Sequence, residues 1–171
     1  MKPKFALLFL SILLFLSFGC FGDRVKRDFI LSRNFTPRTY ASLAVVNLDA
    51  QIQFSQYVEA ELLRKGYKVK EGGAVAQLLK REGLLKEGAL DAPGLAKLGD
   101  LLQVRGIVLC RVLEFSRFRD SYRLSIKCVD PGTGDTLWYA EGAKEGRKGQ
   151  KSGELLKEIA SSSLKGLPSL R

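Results

Sequence analysis

Three β-rich runs separated by short polar turns occupy the later part of the chain: Ile107 to Phe115, Tyr122 to Val129 and Thr136 to Ala140. Runs this close together can only pair through hairpins, so they predict an antiparallel meander. In the middle run Tyr122, Leu124, Ile126 and Cys128 point one way, and Arg123, Ser125 and Lys127 the other. That alternation marks a sheet with one buried face. Something apolar must therefore back it.

The preceding residues supply the backing. Leu43 to Val46 reads as a buried strand, and Phe54, Tyr57, Val58 and Leu62 fall near one face of a helix that Gly66 ends. Tyr67 to Lys70 alternates as a second strand, which predicts a right-handed β-α-β crossover. Val75, Leu78 and Leu79 mark another helix. Asp91 and Pro93 open a third, which runs through Leu95, Leu98, Leu101 and Leu102. A last helix carries Leu155, Leu156, Ile159 and Leu164. The fold class is α/β: a single-layer mixed sheet of about five strands with a C-terminal antiparallel meander, flanked by helices.

The first nineteen residues stand apart from this fold. Lys2 and Lys4 precede an apolar run from Phe5 to Phe18, broken only by Ser11 and Ser17. Fourteen residues fall short of the roughly 20 that span a bilayer, so the run reads as a cleaved leader. It ends Leu16-Ser17-Phe18-Gly19-Cys20, which resembles a bacterial lipobox, although Ser17 stands where Leu is usual. Cys20 is then the acylated N-terminus, and the bilayer is the chain's first partner. Phe21 rather than Asp after the cysteine points to the outer membrane by the sorting rule of enteric bacteria. Residues 20–41 read as lipidated cysteine and basic tether, with a short ordered arm at Phe29-Ile30-Leu31, and residues 42–171 as the folded domain.

Of the 171 residues, 152 remain once the leader goes, and the net charge of +10 falls to +8 with the loss of Lys2 and Lys4. An exported, tethered protein rarely meets nucleic acid, so no nucleic-acid partner is expected. Anionic head groups or an acidic envelope polymer fit this charge, as does plain solubility.

Three places invite a chemical reading. The stretch VDPGTGDTLW, Val129 to Trp138, raises the question of a phosphate or metal loop. A phosphate loop joins a strand to a helix, whereas this one joins two strands, and Asp130 and Asp135 lack the further oxygen ligands that calcium takes. It reads as a turn. GRKGQKSG, residues 146–153, does precede a helix, but its glycine and lysine spacing fails the nucleotide-loop pattern. Cys110 and Cys128 face each other if the hairpin centres on Arg119, which leaves a disulfide or two buried thiols as alternatives. The chain has no histidine to activate a cysteine. No catalytic site, cofactor or metal is expected.

The order of these features is similar to that of a known family. The run from Tyr67 to Phe115, and Asp130, Thr133, Gly134, Leu137 and Trp138 of the hairpin, resemble the periplasmic domain of the curli-secretion lipoproteins (CsgG-like). The ending at Leu167-Pro168 resembles the related LpoB-type activators of penicillin-binding proteins. The resemblance spans about residues 42–168. It implies a non-enzymatic periplasmic lipoprotein, an accessory or assembly factor for secretion or cell-wall synthesis with an envelope protein partner and possible self-association. Exposed strand edges and the tip Arg117-Phe118-Arg119 are the expected docking surface. The chain lacks the long amphipathic hairpins of the secretion channels, whose barrel strands need about 9–11 residues each, so the pore is not carried over. The competing expectation is a sensor for a small ligand or anionic polymer, with a concave pocket.

Overall fold

The computed structural model describes residues 24–170 apart from 50, 87 and 148. The leader and Cys20 lie outside the described residues. The meander forms as the alternation predicts: β6 (Gly106–Ser116), β7 (Ser121–Val129) and β8 (Thr136–Glu145) pair antiparallel in chain order. On the far side of β6, strand β2 (Ser42–Asn47) pairs in parallel, and β3 (Lys68–Lys70) pairs in parallel with β2 across helix α1 (Ser55–Arg64). Strand β1 (Lys26–Leu31) completes the sheet against β8, giving six strands in the order β1-β8-β7-β6-β2-β3.

Local chemistry places the helices. Gly66, at φ +92°, lets the Tyr67 amide reach back to the Leu62 carbonyl and closes α1. Asp91 caps α3 (Ala92–Leu102) by accepting from the Gly94 amide at 2.9 Å, with Pro93 in the first turn. The link ahead of it folds into a two-stranded ribbon, β4 (Leu85–Lys86) with β5 (Ala89–Leu90), too short to show an alternation in the sequence.

Helices lie on both faces of the sheet. On one, Val45, Val108, Leu124 and Ile126 pack with Val58 and Leu62 of α1 and with Leu155 and Ile159 of α4 (Ser152–Ser163). On the other, Ala44, Val46, Ile107 and Val129 meet Val75 and Leu79 of α2 (Gly72–Arg81) and Leu95 and Leu98 of α3. No residue of β1 or β8 joins this second cluster. Among the described residues, one face is thus covered along its length and the other only over its parallel half.

Two stretches read differently in the folded chain. Residues 26–31, read as tether with a short arm at Phe29-Ile30-Leu31, form an edge strand in which Phe29 stacks on Trp138 at 6.3 Å between ring centroids. Strand β8 runs on past Ala140, because Gly142 and Lys144 continue its helix-facing side without an apolar signature. Gly142 fits only as glycine there: a Cβ would sit 2.7 Å from Ile159 Cγ2. The Lys144 side chain is 2% exposed and pairs with Glu158 of α4 at 2.6 Å.

The hydrogen bond from Lys144 holds Glu158 below the usual carboxylate range. Removing the carboxylate strands a buried ammonium, so Glu158→Ala is expected to cost about 2 kcal/mol in urea unfolding; Glu158's own exposure keeps the loss below that of a fully buried pair. Lys144→Met keeps the stem and deletes the charge, and should stay within about 1 kcal/mol of wild type. Because the folded pKa lies below the unfolded one, Glu158's contribution is full above the ordinary value of 4.5. It is lost as pH falls through the folded value.

Candidate docking surface

The turn between β7 and β8 is built to hold the chain. Asp130 accepts from the amides of Gly132 at 2.8 Å and Thr133 at 3.2 Å, and from the Tyr40 hydroxyl at 2.8 Å. Burial pushes its pKa up, but these hydrogen bonds prevail and keep it below the usual range. The Thr133 hydroxyl donates to Asp135 at 2.9 Å, and Gly134 takes φ +78°. Pro131 rests on Gly99 of α3, where a Cβ would come within 2.6 Å. The polar groups of the loop are thus engaged with each other and with Tyr40. Trp138 lies apart from them, in the core. Among the described residues no group of three or more His, Cys, Asp or Glu could hold a metal ion.

The cysteines do not face each other. The turn centres between Phe118 and Arg119 rather than on Arg119, and the register shifts once more between Val112 and Glu114, so Cys110 lies opposite Ile126, and Cys128 opposite Val108. Both are free buried thiols, and burial drives both pKa values far up. Neither is expected to react with a thiol reagent until the protein unfolds. Unfolding without reductant should then expose two reactive thiols: a bridge would leave neither, and an unacylated Cys20 would add a third.

A cleft of about 870 Å³ opens at the C-terminal end of β2, between α1 and α2. Its floor includes Val46, Val75 and Leu79, and Glu59 stands on its wall. Burial raises the Glu59 pKa, and its carboxylate lies against Gly72 at the start of α2. Asn47 donates from Nδ2 to the Ile52 carbonyl at 3.2 Å, while its buried Oδ1 has no donor. An acceptor-rich, apolar-floored cleft suits an amine better than an anionic polymer.

A further exposed feature is the open half of the sheet. Opposite α1 and α4, strands β1, β8, β7 and the outer part of β6 present Asp28, Tyr139, Glu141, Arg123, Lys127 and Arg111. Arg123 lies at its centre, donating to Glu141 at 2.5 Å and to Glu114 at 3.3 Å. Tyr139 donates to the other Glu141 oxygen at 2.7 Å, and burial together with that bond pushes its pKa up to about 12. Ile30, 64% exposed, adds an apolar margin on β1. The result is a surface whose side chains are braced against each other, so ordering them for a partner costs little entropy. The alternation of Arg123, Ser125 and Lys127 signalled a solvated side of β7. Its extension over four strands appears only once β1 and the rest of β8 join the sheet. Arg117, Phe118 and Arg119 do stand exposed at the β6–β7 turn.

No family model matches the sequence, and no curated protein matches it. Solved structures share the fold. The PelC dodecamer from Paraburkholderia phytofirmans superposes with a TM-score of 0.55 at 10% identity, over 86% of this chain and 100% of that one. Lipoprotein GNA1162 from Neisseria meningitidis gives 0.54 at 20% identity, over 74% and 99%. The LpoB C-terminal domain from Salmonella enterica, at 0.46 and 9% identity over 63% and 84%, is too distant to bear on the argument. At these identities the likeness concerns the fold alone.

Proposed function

We propose that this chain is a lipoprotein of the bacterial cell envelope, anchored through Cys20 in the outer membrane and facing the periplasm. It acts without catalysis, as an accessory or assembly factor of a secretion or cell-wall synthesis machine in the CsgG-like superfamily. The observation that carries this reading is the open half of the sheet, a braced charged surface left uncovered in a fold shared with GNA1162, itself a lipoprotein. The partner is an envelope protein whose surface complements alternating cations and carboxylates. Self-association is a further mode of use, since PelC of the same fold forms a dodecamer.

Chemical cross-linking in intact cells, followed by mass spectrometry, tests it. A ladder of self-links supports a secretion-type ring, and links to a cell-wall synthase support an activator. If neither forms and only small molecules shift the melting temperature, the docking reading fails. The cleft beside Glu59 favours that second reading, a sensor, with a small amine as ligand.

A further inference from the structure

One end of the sheet collects the features of a membrane-contacting surface. Lys26, the first residue of β1, pairs with Ala143 near the end of β8, and Glu145 pairs with Ser121 at the start of β7. The Gly146 amide donates to the Asp120 carbonyl at 3.0 Å, fastening the loop after β8 to the β6–β7 turn. Three segments distant in sequence therefore meet at one end. They bring Arg24, Lys26, Arg117, Arg119, Arg147 and Lys151 there, all exposed, against the carboxylates of Asp120 and Glu145. At the turn itself Phe118 is 98% exposed, while neighbouring Phe115 stacks on Tyr122 at 4.8 Å. An aromatic ring held out in water between two arginines costs solubility unless it has somewhere to go.

The chain's covalent path says where. Cys20 precedes Arg24 by four residues, so the backbone cannot separate them by more than about 14 Å. Whatever holds Cys20 at a bilayer holds this end of the sheet beside it. The opposite end, with the Asp130 turn, lies across the length of the strands. The geometry points to the Arg117-Phe118-Arg119 turn as a second membrane contact: Phe118 enters the head-group region of an anionic bilayer, and the flanking arginines, with Arg24 and Lys26, pair with lipid phosphates. Arginine suits this because its long stem lies along apolar surface while the guanidinium stays at the phosphates. This orientation rests on Cys20 as the anchor. It turns the open sheet face sideways, along the membrane plane, where an envelope partner can reach it.

Phe118→Trp in the full-length acylated chain reports on the contact, because the native Trp138 is buried and gives a constant background. In phosphatidylglycerol-containing vesicles the emission of the new tryptophan should shift to the blue and be quenched by lipids brominated near the head group. Removing both arginines in that background (Arg117→Gln, Arg119→Gln) should weaken the quenched fraction by about five-fold per charge, and phosphatidylcholine vesicles should give little quenching. Flotation of the same samples tests the anchor independently. If the protein floats with anionic vesicles but Trp at position 118 stays red-shifted and open to aqueous quenchers, the contact is wrong and the anchor stands. Burial of that tryptophan only on adding an envelope protein would likewise overturn it. If the protein does not float at all, the Cys20 reading fails; the chain carrying Cys20→Ser and Phe118→Trp, mixed with anionic vesicles, then decides the contact, blue shift supporting it and none overturning it.

Discussion

Replacing Trp138 by alanine is expected to lower the free energy of unfolding by about 4 kcal/mol, measured as a shift in the urea midpoint at unchanged slope. The indole is 1% exposed and ranks first by volume among the fully buried side chains. It fills the helix-facing side of β8 and carries the stacking contact with Phe29 that holds β1 to the sheet. The cavity would lie under an edge strand that is paired on one side only. Hydrogen exchange should therefore show residues 26–31 losing protection before the strands of the meander. Trp138→Phe should cost much less, about 1 kcal/mol, for two reasons. It preserves most of the packing, and it deletes an Nε1 donor that is buried without an acceptor.

Cys20→Ser is expected to abolish acylation. Incorporation of a labelled fatty acid should fall to background, and the intact mass should retain the leader, because neither thioether formation nor lipobox cleavage can proceed on a serine. Cys110→Ser and Cys128→Ser are the controls. Both lie in the core, and both variants should keep the label even where they lose stability. Label remaining in Cys20→Ser would remove the anchor from the account and with it the orientation argued for the basic end.

Most of the architecture could be read from periodicity because most elements expose one face and bury the other. The meander and α1 follow that rule, so their alternation carried the signal. The elements that escaped it break the rule for physical reasons. Strand β1 is an edge with Phe29 as its main inward contact, and charged neighbours mask the alternation. The end of β8 buries a glycine under a helix and a lysine against Glu158, two residue types that periodicity counts as exposed. The cysteine register failed by two residues: the turn centres between Phe118 and Arg119 rather than on Arg119, and the pairing slips by one more at Leu113, neither of which residue spacing alone reports.

The candidate site was legible only in part. The turn chemistry of Asp130, Thr133 and Gly134 followed from residue type, and the structure shows how Tyr40 and Gly99 depend on it. The exposed Arg117-Phe118-Arg119 turn was also visible as a charged tip. The open sheet face was not, because it is a property of which helices fail to reach β8 and β1. That depends on tertiary coverage, which strand alternation does not report.

The most direct test of the account is site-specific photo-cross-linking in living cells, with a photoreactive residue placed in turn at Ala143 and Lys127 on the open sheet face and at Lys157 on the solvent side of α4. Adducts to one envelope protein, or to a second copy of this chain, should form from Ala143 and Lys127 and be absent from Lys157. Adducts from Lys157 alone, or none from the sheet face while the protein remains folded and membrane-bound, would contradict it.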